Sequence, residues 1–193
     1  MEYIWNGITF DSQEEVEFAY WLEELKQAGY VSDWDRSQSY QLTAGLKHTY
    51  KEHTQLKTKV KVEQKSQTIF QPSYYTPDFE VVWMYPVKDL FHTFLNTPSK
   101  LSTVFISQEV NDKYFSIIEI KPSFDFKNMT RGFELNRKFM WEKYKLYVNL
   151  IHIDKLFDKT FTPALSMFTP TGKPRKITKW TPRTLNQFVH DKK

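Results

Sequence analysis

Charged residues stand inside stretches that otherwise have the composition of buried strands. The segment YYTPDFEVVW, residues 74–83, and the segment FSIIEIKPSFD, residues 115–125, are rich in β-branched and aromatic residues and punctuated by prolines. Asp78 lies near the start of the first, with Glu80 two residues on; Glu119 and Lys121 lie within the second. Side chains alternate across a strand, so Glu119 and Lys121 share one face and Ile118 and Ile120 the other. Ile117 falls on the Glu119 face and makes it partly apolar. A carboxylate or an ammonium withdrawn from water there requires a partner. Two carboxylates offer hard oxygen ligands of the kind Mg²⁺ or Mn²⁺ takes, and no cysteine or closely spaced histidine pair favours zinc. The spacing leaves a structural alternative open: a strand with one solvated face, and a turn aspartate after Pro77.

The elements that would position these groups can be read from pattern. YIWNGITF is strand-like around an Asn6-Gly7 turn signal. In DSQEEVEFAYWLEELKQAGY, Asp11 or Ser12 can cap a helix, Ser12 and Glu15 have capping-box spacing, Phe18, Trp21, Leu22 and Leu25 form an apolar stripe at helical spacing, and Gly29 suits the C′ position. A glutamine at position 15 would keep that cap, so Glu15→Gln is expected to leave stability nearly unchanged. VSDWDRSQSYQLTAG reads as extended and ending in a turn, and TKVKVEQ as one arm of a hairpin returning through SQTIFQP. VKDLFHTFLN is expected as a short helix and STVFISQEV as a strand, within an insertion at about 85–113. Phe133, Met140 and Tyr144 predict a second amphipathic helix, followed by a buried strand in LYVNLIHI that includes His152. None of the five histidines has metal-ligand spacing. Pro163, Pro170, Pro174 and Pro182 make the rest mostly irregular, with a last short helix in TPRTLNQFVH. The class is α/β, a mixed central sheet flanked by helices.

A chain of 193 residues can build one domain with a real core. It has no run long enough to cross a bilayer and no signal-peptide pattern, so a cytoplasmic protein without a membrane partner is expected. The absence of cysteine excludes disulfides and thiolate metal sites. The formal charge of +4 is uneven: residues 170–193 hold seven basic residues against Asp191 alone, which leaves residues 1–169 slightly acidic. A second basic stretch carries Lys47, Lys51, Lys57, Lys59, Lys61 and Lys65 against Glu52 and Glu63. Basic segments on a near-neutral body suit a polyanion, of which nucleic acid is the commonest, or are simply solvated.

The residues PDF at 77–79 and EIK at 119–121, with a capped helix before them and a helix and strand after, resemble the signature of the PD-(D/E)XK, restriction-endonuclease-like nuclease superfamily. NGITFDSQEEVEFAYWLEELKQAGYVSDWDRSQSYQL is similar to the start of small phage-encoded members. The resemblance spans about residues 4–45, 74–83 and 115–153. It implies an αβββαβ core in a nuclease domain at 1–169, with a basic extension at 170–193. It implies Asp78 and Glu119 as ligands of Mg²⁺ or Mn²⁺, Lys121 as the group beside the attacking water, and Glu15 as the acid of the first helix, with Glu14 as its rival. The activity implied is metal-dependent hydrolysis of DNA phosphodiesters, structure-selective in the manner of a Holliday-junction resolvase, in the cytoplasm of a phage host. The alternatives are a sequence-specific restriction-like enzyme and an inactive DNA-binding or assembly protein. DNA is the expected partner, a homodimer is admitted, and no small-molecule cofactor is called for. Lys127, Arg131, Lys173, Arg175, Lys176 and Lys179 are the expected phosphate contacts, with Arg183 adding to the charge of a tail that holds DNA away from the cut site. Its prolines are expected to keep that tail from packing, so a chain ending near Phe168 should keep an intact core.

Overall fold

Asn6 and Gly7 both take positive φ, 48° and 78°, and close a two-residue hairpin between β1 (Tyr3–Trp5) and β2 (Ile8–Phe10). The structure, a computed structural model, describes residues 3–84, 89–95, 104–122, 130–169 and 171–192, and of Thr130 and Arg131 the backbone alone. The chain divides into two units. One is Ser39–Thr76; the other joins Met1–Gln38 to Pro77–Lys193.

In the larger unit the first helix, α1 (Gln13–Gln27), begins where the capping box predicts. Ser12 Oγ accepts from the Glu15 N–H at 3.2 Å. It ends in a Schellman motif. Gly29 at φ 77° donates to Lys26 and Tyr30 donates to Leu25, which satisfies the last carbonyls. The apolar stripe of α1 is buried, and Trp21 sits at its centre with Phe18, Phe91, Phe105 and Phe161 at centroid separations of 5.4–5.8 Å. Its indole N–H donates to Thr160 Oγ1 at 3.2 Å, so the ring is buried without an orphaned donor.

The central sheet of this unit contains β3 (Val31–Arg36), β8 (Phe79–Trp83), β9 (His92–Phe94), β10 (Phe105–Val110), β11 (Lys113–Ile120) and β12 (Val148–Ile151). Its order is β3-β8-β11-β10-β9, with β12 also on β11. β3/β8, β8/β11 and β11/β10 are antiparallel; β11/β12 and β10/β9 are parallel. The result is a mixed sheet flanked by helices. One edge of β11 is shared, by β10 near its start and by β12 near its end. Side-chain amides complete the ladder where these two strands meet. Asn149 accepts from the Ile106 N–H at 2.8 Å and donates to the Ile106 and Ile117 carbonyls at 2.9 and 3.1 Å, while Gln108 accepts from the Tyr147 N–H at 2.6 Å.

Several expectations are corrected here. The strand read across residues 74–83 is two strands, β7 (Ser73–Tyr75) and β8, because Pro77 has no N–H to give a ladder. VKDLFHTFLN contributes β9 and no helix among its described residues, since Phe91 is drawn into the core and His92–Phe94 pair with β10. The described parts of the segment read as an insertion thus build an edge of the sheet. α2 (Thr130–Tyr144) buries Phe133 and Met140 as expected. Beyond it the chain is more ordered than its prolines suggest, with α3 (Ile153–Lys159), a 3₁₀ turn at Ala164–Met167 and α4 (Leu185–Lys192). Leu185 and Phe188, three residues apart on α4, are buried in the same core as α1, and the Phe188 ring lies 5.3 Å from Phe91. The region expected as a loose tail is therefore part of the larger unit. No described helix is long and apolar enough to cross a membrane.

In the smaller unit β4 (Tyr40–Thr43) pairs with β7, and β5 (Leu46–Gln55) pairs with β6 (Val60–Phe70) in a long antiparallel ribbon. The predicted hairpin is displaced. VKVEQ of the first arm and SQTIF lie in one strand, β6, whose partner is the preceding LKHTYKEHTQ, and the turn at Leu56–Lys59 takes up Thr58 and Lys59. Gly45 is required at the ribbon's base: a Cβ there would stand 2.9 Å from Pro72 Cδ and 3.1 Å from the Phe70 carbonyl oxygen.

Because α4 fills the core, Phe188→Ala should cost about 3–5 kcal/mol. Urea unfolding of the variant measures it. A loss under about 0.5 kcal/mol, the level of an ordinary surface change, would return the C-terminal region to a solvated extension.

Candidate functional site

The pairing of β8 with β11 sets Phe79 opposite Ile118 and Glu80 opposite Ile117. Asp78 lies one residue before β8 and beside Glu119, whose charge acts on it. Two hydrogen bonds fix its position: the Asp78 N–H donates to the Ile118 carbonyl at 2.9 Å, and the Ile120 N–H donates to Asp78 Oδ2 at 2.6 Å. The Ile120 bond draws the Asp78 carboxylate to the end of β11, and the Glu119 charge acts on it, so the two carboxyl groups are neighbours. Phe79, Val81, Ile118 and Ile120 belong to the core packed around α1, while Asp78 and Glu119 belong to the alternate set. Burial raises the Asp78 carboxyl to about 7, and the adjacent Glu119 charge, then Glu15, adds to the rise. The Ile120 N–H and the Lys121 ammonium act against it.

Glu119 is 6% exposed. Lys121, two residues on and on the same face, places Nζ 2.5 Å from Glu119 Oε1. The Lys121 backbone is held between strands, its N–H donating to Ile151 at 3.0 Å and its carbonyl accepting from His152 Nδ1 at 3.0 Å. His152, expected within the strand, lies one residue past β12 as the cap of α3.

Glu15 keeps its capping role and acquires another. Its carboxylate accepts from Ser12 Oγ at 3.3 Å and from the Asp11 N–H at 3.4 Å, and it forms an ion pair with Arg36. The Arg36 guanidinium lies over the Phe10 and Phe79 rings, 5.4 and 5.2 Å from their centroids. Sequence reasoning missed Arg36; its one signal was a cation ending a strand that also carries Asp33 and Asp35. It missed Ser37 too, whose Oγ donates to Glu80 Oε1 at 2.9 Å. Glu14 takes a different position. It lines a cavity of about 440 Å³ together with Lys121, Glu17, Arg175, Lys176 and Lys179.

That cavity changes the reading of the C-terminal cations. Expected to act away from Lys121, three of them line the same cavity as Lys121, because α4 anchors the segment that carries them. Arg175 pairs with the buried Glu17 carboxylate, and Lys179 lies 3.6 Å from Asp154. Lys173 and Lys176 make no ion pair among the described residues. Arg183 donates to the Lys159 and Asp158 carbonyls at 2.8 and 3.2 Å and also to Thr160, so it caps the end of α3. Lys127 lies outside the described residues, as does the side chain of Arg131.

Among the described residues no group of three or more His, Asp or Glu side chains is arranged to hold a metal ion. The neighbouring carboxylates still fit a hard divalent cation. They would supply two oxygen donors to an ion that ordinarily keeps several waters, and such a cation would offset the Glu119 charge that, after burial, raises Asp78. Comparison of the chain with family models, with curated proteins and with solved structures finds no match.

Two consequences are measurable. Between about pH 4 and 7 folded Asp78 holds a proton that the unfolded chain has released, so wild-type stability falls as pH rises through this window. Asp78→Asn removes that titration and can keep the Ile120 hydrogen bond. Its stability should therefore gain on wild type by about 1.4 kcal/mol per pH unit across the window and run parallel above it. Urea titrations in chelator test this, and parallel curves throughout would refute it. Glu15→Gln takes from the half-buried Arg36 its buried counter-ion and leaves it only the exposed Asp11 carboxylate at 3.7 Å. The expected loss is about 1–2 kcal/mol, reduced from the cost of a fully buried pair by the exposure of Arg36. A loss too small to detect would favour the expectation of unchanged stability.

Proposed function

We propose that the chain is a metal-dependent DNA endonuclease of the PD-(D/E)XK type. The observation that carries this reading is the proximity of Asp78, at the entry to β8, to Glu119 on the adjacent β11, with Lys121 on Glu119 and at the wall of a cavity lined by further cations. The order α1-β3-β8-β11-α2-β12, with an antiparallel meander followed by a parallel strand, supports it as the αβββαβ arrangement that the sequence resemblance implies.

In this reading Asp78 and Glu119 hold Mg²⁺ or Mn²⁺. When bound, the ion supplies positive charge to the phosphodiester oxygens and acidifies a water molecule. Asp78 works as a carboxylate, and the Ile120 N–H holds its Oδ2 in place. Lys121 leaves its ion pair with Glu119 to donate to the attacking water or to a phosphate oxygen. Its ammonium offsets the charge that grows in the transition state. Phosphoryl transfer needs chiefly positioning and charge, and strands fixed by backbone hydrogen bonds supply the positioning. Arg175, Lys176 and Lys179 line the cavity with charge suited to the flanking phosphates. Branched DNA of the Holliday-junction kind is the proposed substrate, on the resemblance to small phage nucleases. One observation favours a second reading: both Glu15 and Glu119 are engaged by cations, as in a structural ion-pair network of a DNA-binding protein that does not cut.

With Mg²⁺ the protein should nick or cleave DNA, four-way junctions faster than linear duplex or single strands. Asp78→Ala, Glu119→Ala and Lys121→Ala should each lower the rate at least about 100-fold with DNA binding retained. Gel assays on that panel of substrates, with and without chelator, separate the outcomes. Cleavage that persists in chelator removes the metal, near wild-type cleavage by any variant removes that residue, and no cleavage of any substrate by wild type favours the second reading.

A further inference from the structure

The β5–β6 ribbon of the smaller unit has both faces open to solvent, and it exposes Leu46, Tyr50, Val60, Val62, Ile69 and Phe70. Such a ribbon contributes no core, and two strands alone are marginal in water. Its charges are sorted by face. Cross-strand partners share a face, so the register gives one face His48, Tyr50, Glu52 and Thr54 with Lys61, Glu63, Lys65 and Gln67. There each acid meets a lysine: Lys61 Nζ is 2.5 Å from Glu63, and Lys65 pairs with Glu52. That face is neutral. The opposite face carries Lys47, Thr49, Lys51, His53 and Gln55 with Val60, Val62, Gln64, Ser66 and Thr68, and no carboxylate. Lys57 and Lys59 extend its charge through the turn, and none of Lys47, Lys51, Lys57 and Lys59 makes an ion pair among the described residues.

We propose that this second face of the ribbon is a duplex-DNA-binding surface that lies in the major groove; the choice of DNA as partner rests on the nuclease reading above. Complementarity of charge carries the proposal, since the net positive charge of the ribbon is confined to one face and its turn. The dimensions agree. A strand of ten residues spans about 30 Å, and a two-stranded ribbon enters a groove about 12 Å wide. The chemistry of the face agrees as well. Lysines at its margins meet phosphates, Gln55, Gln64, Thr49 and Ser66 offer donors and acceptors to base edges, and Val60 and Val62 meet thymine methyls. The neutral face faces away from the DNA.

The test measures affinity for a labelled linear duplex in chelator, where no cleavage occurs, at salt from about 50 to 200 mM. The variant Lys47→Gln, Lys51→Gln, Lys57→Gln and Lys59→Gln combined should bind at least about 10-fold more weakly, with a slope of log K against log salt shallower by about 2–4. The combination Glu52→Gln, Lys61→Gln, Glu63→Gln and Lys65→Gln, which keeps the net charge and alters only the neutral face, should bind like wild type. Wild type should also protect guanine N7, which lies in the major groove, from methylation, and the first variant should not. Equal losses in both combinations, equal affinity of the first variant and wild type, no duplex binding by wild type, or equally tight wild-type binding to A-form RNA or polyglutamate would each overturn the proposal. The nuclease reading fails separately. A protein that binds through this face and cuts nothing with Mg²⁺ keeps the ribbon assignment, and one that cuts but binds equally well without these lysines keeps only the nuclease.

Discussion

The register between β8 and β11 is the constraint on which the site depends. Side chains alternate with a period of two, so a slip of one residue would turn Phe79 and Val81 away from the core and drive Asp78 and Glu80 into it. Two features prevent the slip. The apolar residues of both strands face α1, and Asp78 bonds to Ile118 through its backbone and to Ile120 through its side chain. The carboxylate that confronts Glu119 is thus also the group that fixes the two strands in position.

Bringing two carboxylates together at a poorly solvated place is unfavourable, and the surroundings answer it with placed cations. Lys121 reaches Glu119 from the same strand, and Arg36 reaches Glu15 from the end of β3, lying over two phenylalanine rings as it does so. The compensation is partial, because Asp78 remains raised to about 7. An arrangement that keeps an acid short of full ionisation is the kind found where a carboxylate has further work, as a ligand or in proton transfer.

The two units divide their physics. The larger one is held by an aromatic core around Trp21, to which α4 at the far end of the chain contributes Phe188. The anchorage of α4 brings Arg175, Lys176 and Lys179 to the cavity that Lys121 lines. The smaller unit has little core, and its long ribbon is organised by charge, with ion pairs on one face and, on the other, lysines that make none among the described residues.

Local signals were legible in the sequence because short-range chemistry fixes them. The cap at Ser12, the Schellman end at Gly29, the Asn6-Gly7 turn, the alternation that puts Glu119 and Lys121 on one face, and the amphipathic second helix all depend on residues within a few positions of each other. By itself the sequence determined the mixed α/β class, and it marked Asp78, Glu119 and Lys121 as charges out of place. Where long-range partners decide, pattern was silent or misleading. Composition does not encode the pairing of β6 with LKHTYKEHTQ, the recruitment of His92–Phe94 into the sheet, or the burial of α4 behind four prolines. Only the tertiary structure joined Arg36 to Glu15 and Arg175 to Glu17, pairs 21 and 158 residues apart. The reason is physical: a cap or a turn is complete within one stretch of chain, whereas the partner of a buried charge is whichever group the packed fold brings beside it.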